Sequence, residues 1–215
     1  FELAVDDYIE EAFERCGLEV RTGYDLRTAK RSLNLMFADW ANRGLNRWTI
    51  TQTTTTITDG TTEYTLAADT IDVLSAVIRE NAGTASQTDT AITRIGRDTY
   101  LNISSKLTES RPTQFYIDRQ VVPKIRLYPT PNATYSLVYD RLTRIEDADA
   151  ITNTVDIPFR FYPCLAAGLA YYLSIKKAPD RVQLLKAIYD EEFDRAATED
   201  RDRTSLKLLP YERYI

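Results

Sequence analysis

The sequence predicts an α+β fold: an antiparallel α-helical bundle with an inserted β-strand domain and an extended C-terminal tail. Three observations carry that expectation. Apolar residues recur at helical spacing towards both ends of the 215-residue chain. Between them, from Trp48, the period falls to two and Thr-rich or alternating segments follow. After the last helical pattern comes a stretch rich in leucine and tyrosine with no period of its own. The domains expected are 1–46 with 157–203 for the bundle, 47–156 for the β domain and 204–215 for the tail.

The elements follow in order. A first helix is expected over about Val5 to Leu18, with Ile9, Ala12, Phe13 and Cys16 on one face and Gly17 as its stop. A second should run from Asp25, as N-cap, to Arg43, burying Leu26, Ala29, Leu33, Met36, Phe37 and Trp40. Thr49 to Ile57 reads as a strand polar on both faces, fit for a sheet edge or a projecting hairpin. Asp59-Gly60 is expected to turn it into a hairpin returning over Thr61 to Leu66. Further strands are expected at Ile71 to Arg79, Ile92 to Ile95, Gln114 to Arg119, Lys124 to Tyr128 and Thr134 to Thr143. A polar loop tip lies at Asn81 to Asp89 and a helical turn at Arg97 to Ile103. Glu146 to Asp156 is an acidic linker. A third helix over Pro158 to Lys177 is apolar nearly all round and therefore buried. Asp180 is expected to cap a fourth, carrying Val182, Leu185, Ile188, Tyr189, Phe193 and Ala196.

Composition narrows the function. The chain has no histidine, which removes the commonest general base, the commonest zinc ligand and any Ser-His or Cys-His dyad. Its two cysteines, Cys16 and Cys164, have no disulfide or metal spacing and read as buried thiols. Lys and Arg number 27 against 32 Asp and Glu, a net charge of −5, which disfavours a protein whose task is to grip phosphates. No run approaches the length of a membrane span and no signal-peptide pattern opens the sequence, so synthesis in the cytoplasm is expected. Tyrosine is abundant, at 14 copies, and suits surfaces that are buried on assembly.

No nucleotide-binding glycine motif is present, and no cofactor, catalytic residue or metal site is expected. The carboxylate clusters Glu10, Glu11, Glu14 and Glu191, Glu192, Asp194 read as solvated helix faces. Two features point to partners instead. Arg27, Lys30 and Arg31 form a basic face on the second helix, open to an acidic partner, to nearby DNA or simply to solvent. The tail carries Leu206, Leu208, Leu209, Tyr211 and Tyr214, too few residues to make a core and too apolar to stay exposed. Covering these side chains gains no more than ordering the segment costs, so one tail alone is a weak binder. Several tails held by one ring act together. The tail therefore reads as an assembly element, with packing on its own subunit as the alternative.

Several segments resemble podophage head-to-tail adaptor (connector) proteins: RSLNLMFADWANRGLN from Arg31, DTIDVLSAVIRE from Asp69, RPTQFYIDR from Arg111, RLYPTP from Arg126, and Val155 to Arg203. The resemblance implies a ring, usually dodecameric, beneath the portal protein at the neck of the virion. Such a ring extends the DNA channel, helps retain the genome, lets double-stranded DNA pass without a specific grip and docks the next tail (nozzle or tube) protein. It also implies that Leu206 to Tyr214 reach the portal. Two other readings differ in position or class: a tube or nozzle ring bound to the adaptor, and a peptidoglycan hydrolase using its carboxylates. The position of the protein in the virion neck separates the first, and a cell-wall turbidity assay the second.

Overall fold

The computed structural model describes residues 4–43, 47–145 and 157–201. Among them are five α-helices, α1 (Val5–Arg15), α2 (Gly23–Asn42), α3 (Arg97–Leu101), α4 (Tyr162–Lys177) and α5 (Val182–Glu199), and seven strands. The chain divides into two compact units, Phe1–Met36 with Ala148–Ile215, and Phe37–Asp147.

The helical unit is organised by α4. Its sequence has no polar side, and Cys164, Leu165, Ala166, Ala167, Leu169, Ala170 and Leu173 are all buried. Helix α1 packs on it with Val5, Tyr8, Ile9, Ala12 and Phe13, and the Cys16 thiol donates to the Ala170 carbonyl at 3.3 Å. Both cysteines are free and buried, as expected. Helix α1 ends where Gly17 predicts. The Gly17 N–H meets the Glu14 carbonyl and the Leu18 N–H meets the Phe13 carbonyl, a Schellman closure that needs the left-handed φ of +72° at Gly17. Arg181 lies over this end and donates to the Arg15 carbonyl at 2.9 Å, placing a cation at the negative pole of the helix.

Helix α2 starts earlier than expected. Asp25 is not its N-cap but the third residue of a capping box begun by Thr22. The Thr22 hydroxyl accepts the Asp25 N–H at 3.4 Å, and the Asp25 carboxylate accepts the Thr22 N–H at 3.2 Å. Asp180 likewise caps nothing. It sits in a 3-10 turn, Pro179–Arg181, ahead of α5. Helix α4 is also entered through a 3-10 turn, Phe159–Phe161, with a proline in its first helical turn.

The second unit is one curled, half-barrel sheet in the order β1-β7-β3-β4-β5-β6-β2. The strands are β1 (Ile50–Ile57), β2 (Glu63–Thr65), β3 (Thr70–Glu80), β4 (Thr88–Arg94), β5 (Gln114–Asp118), β6 (Lys124–Tyr128) and β7 (Tyr135–Thr143). The Asp59-Gly60 hairpin does not form: β1 pairs with β7 and β2 with β6, so they are the two opposite edges of the sheet. Residues 58–62 nevertheless join them. That connector reaches at most about 20 Å, whereas seven strands laid flat are about 29 Å across. The sheet must therefore curl. Register shifts in β3, between Thr70 and Asp72 and between Val73 and Ser75, supply the bending. Tyr64 pins the corner, its hydroxyl accepting the Thr58 N–H at 2.9 Å and lying 3.0 Å from the Thr61 carbonyl, to which it donates. The Thr-rich β1 is an edge strand, as its two polar faces suggested.

These observations correct the expected architecture. The chain is not an antiparallel helical bundle with an inserted strand domain; its described residues form five α-helices and a seven-stranded sheet. The reason is that the sheet does not borrow a core from the helices. Ile57, Leu66, Val73, Ile78, Phe115, Ile117, Ile125, Leu127, Leu137 and Tyr139 close a core of their own on its inner face. The tail, 204–215, lies outside the described residues, as does the whole of the acidic linker, 146–156.

In the helical unit the tightest point is Gly168 on α4. A Cβ there would lie 2.4 Å from the sulfur of Met36 on α2 and 2.8 Å from the Tyr189 ring on α5. Both neighbours are fully buried and have nowhere to retreat. Gly168→Ala gains about 1 kcal/mol of helix propensity but overpacks this junction by about 1–3 kcal/mol. A net loss of stability is expected in urea unfolding, and Gly168→Ala should cost less in a chain that already carries Met36→Ala than in the unsubstituted chain.

Candidate functional site

Among the described residues the features that can engage other molecules are surfaces. The sequence-predicted basic face lies on α2, where Arg27 and Arg31 are exposed and Lys30 is half-buried. Their orientation follows from the other side of the helix: Ala29, Leu33 and Met36 are buried, so residues at the complementary positions turn outwards. The structure adds two residues that charge reading missed. Tyr24 and Leu35, each 60% exposed, lie on the same stripe as Arg27 and Arg31 at three- and four-residue spacing. The face is thus two arginines framed by an aromatic and an aliphatic residue, a composition enriched at protein interfaces. The signal was present in the sequence, because Tyr24 and Leu35 fall outside the apolar stripe of their own helix.

The root of the predicted tail is held firmly. Arg160, in the turn before α4, donates its Nε–H to Asp200 at 3.0 Å and forms a second, shorter contact through its terminal nitrogen. Asp200 closes α5, the cap N–H meeting the Ala196 carbonyl at 3.0 Å. Leu206, Leu208, Leu209, Tyr211 and Tyr214 lie outside the described residues.

Three of the six clustered carboxylates, Glu11, Glu191 and Glu192, are paired with arginines on their own helices. Glu11 takes Arg15 at 2.7 Å, and Arg195 reaches both Glu191 and Glu192, the latter at 3.1 Å. Among the described residues no group of three or more His, Cys, Asp or Glu is placed to hold a metal ion, and no helix is long and apolar enough to cross a membrane.

A cleft of about 500 Å³ lies beside α1 and α2, lined by Phe13, Gly17, Leu18, Glu19, Arg21, Asp25 and Lys177. Its buried charges are paired. Lys177 donates to Asp25 and sits 5.1 Å from the centre of the Phe13 ring, while Ser32 accepts from Lys176 at 2.8 Å. The Lys177 hydrogen bond holds the Asp25 carboxyl below the ordinary carboxylate range against the opposing effect of burial; the Arg21 N–H and the Thr22 hydroxyl assist. These contacts tie α2 to α4 and make a structural joint at the cleft.

An assembly protein, working through surfaces and not through a cleft, is the class these features define. The chain belongs to the SU10 adaptor protein family, a family of phage head-to-tail adaptors, whose family model matches residues 4–209. A comparison with curated proteins finds no match.

The joint makes a prediction about pH. Because Asp25 is more acidic folded than unfolded, its contribution is present above the ordinary carboxylate pKa, near 4, and is lost as pH falls through the lower folded value. Lys177→Met should raise the Asp25 pKa, read by carbon NMR of its carboxyl, and should move acid unfolding to higher pH.

Proposed function

We propose that the chain is a non-enzymatic head-to-tail adaptor that forms a ring, dodecameric by resemblance, beneath the portal in the virion neck. The ring extends the channel for double-stranded DNA, helps retain the genome and docks the next tail component, a nozzle or tube protein. Membership of a head-to-tail adaptor family along residues 4–209 is the observation that carries this reading. An acidic net charge of −5 per subunit fits a conduit that DNA must leave without sticking.

Within this reading the portal is held by Leu206, Leu208, Leu209, Tyr211 and Tyr214. Two observations favour that assignment. The family match extends to residue 209, so the segment that bears Leu206, Leu208 and Leu209 lies within its span. The Arg160–Asp200 pair fixes the last described turn of α5, so the tail leaves the body from a rigid root. A tethered, multiply repeated strap gains from effective concentration what a single strap lacks.

Truncation after Arg203 is the test. The shortened chain should melt within about 2 °C of the full one, because on this reading the strap is covered by the portal and not by its own subunit. It should bind portal rings at least tenfold more weakly, a loss of about 1.4 kcal/mol or more per site. Undiminished binding to portal would remove the strap assignment.

A further inference from the structure

A cyclic ring is built from a heterologous contact, so each subunit must carry two different faces that complement each other. We infer that the outer face of α2 is one of them and the outer face of α1 the other, a second copy of this chain being the occupant of each. The inference rests on the ring reading above and names the contact within it.

The two faces carry the same spacing and opposite chemistry. On α2, Tyr24, Arg27 and Arg31 are exposed, and steps of three and then four residues set them in one row. On α1, Asp7, Glu10 and Glu14 are exposed at the same steps, on the side away from the buried Ile9, Ala12 and Phe13. At 3.6 residues per turn each row stays within about 60° of its helix, so one flank holds all three side chains. Among the described residues the side chains of Arg27, Arg31, Glu10 and Glu14 make no ion pair, whereas Glu11, beside them, takes Arg15. Asp7 accepts the Ala4 N–H at 2.9 Å through one oxygen and has a second to offer.

Laid parallel, the rows meet level by level. The Tyr24 hydroxyl faces Asp7, Arg27 faces Glu10 and Arg31 faces Glu14, so each level sets a donor against a carboxylate. Leu35, 60% exposed, stands one turn past Arg31, level with the turn at Gly17 and Leu18 that ends α1. Helix α5 is acidic too, but its row is of mixed sign: Lys186 is exposed one turn before Asp190 and Asp194 on their flank. Neither face covers the other within one subunit, since both are exposed there.

A contact of this length, one helix wide, is smaller than the roughly 800 Å² per partner of a standard interface. Exposed ion pairs are also weak one at a time. Free subunits therefore pair poorly, and the contact becomes effective once subunits are held side by side on the portal.

Charge reversal tests this on full-length chains bound to portal rings of the same phage, with subunits per portal counted by native mass spectrometry. All four side chains are exposed, so the substitutions leave folding intact, as thermal melting of each variant checks. Arg27→Glu/Arg31→Glu alone should lose the filled ring and leave partial occupancy, and so should Glu10→Arg/Glu14→Arg alone. Mixed in equal amounts, the two variants should refill the ring in alternation, because each then meets a face of opposite sign. The chain carrying all four substitutions should also refill it. Independently of charge, Arg31→Cys/Glu14→Cys in one chain should let a short bis-maleimide join neighbours on the portal into a ladder, both native cysteines being buried. Full occupancy by either charge-reversed double variant alone would overturn the inference and leave the ring reading intact. So would a loss that neither the mixture nor the fourfold variant repairs, or filled rings that give no ladder. Failure of the unsubstituted chain to gather in several copies would instead strike the ring reading itself.

Discussion

Helix α4 is buried through its middle turns on every side, and most of the helical unit follows from hiding it. Residues Cys164 to Ala170 and Leu173 are buried around its circumference, so α1 and α5 pack along it and α2 reaches it through Met36, Ser32 and Asp25. Burial of each large apolar side chain is worth about 1.5–3 kcal/mol, far more than a surface ion pair. The helices that cover α4 spend their apolar stripes on it, and what they show to the outside is then free to serve other chains. Gly168 sets how closely Met36 of α2 and Tyr189 of α5 approach α4.

The sheet obeys a constraint of a different kind. A connector of a few residues between its two edge strands cannot be reconciled with a flat sheet, and the register shifts in β3 let it curl. Curling brings the inward side chains of strands distant in sequence into one core, from Ile57 and Val73 to Phe115 and Leu137. Strand β4 makes the change of direction, pairing antiparallel with β3 at Thr88–Ile92 and parallel with β5 at Thr93 and Arg94.

Much of this was legible in the sequence. Helical spacing located α1, α4 and α5 within a few residues, Gly17 marked a real helix end, and every strand had an alternating or β-branched segment to announce it. Pairing was not legible. Asp59-Gly60 has the chemistry of a hairpin turn, yet it turns a corner between opposite edges, because the partners of β1 and β2 are chosen by a core assembled at long range. Asp25 was misplaced by three positions because Thr22, the true cap, looks no different from any loop threonine. The weight of the β half was also understated, since seven short strands read singly do not reveal that they share one sheet. Of the surfaces, the charges of Arg27 and Arg31 were visible, but the exposed Tyr24 and Leu35 were hidden by the assumption that apolar residues point inwards. The leucine and tyrosine positions of the tail lie outside the described residues and rest on the sequence alone.

A working surface repeated around an axis is what the proposed function asks of these parts: helices held together by α4 and, in that proposal, an apolar strap that follows α5 in the sequence. The most direct measurement is the mass of the full-length chain alone and with portal rings of its own phage, at the same micromolar concentration. The account predicts single subunits when alone and a closed set of many copies on each portal. Binding of one copy per portal, or none at all, would contradict it.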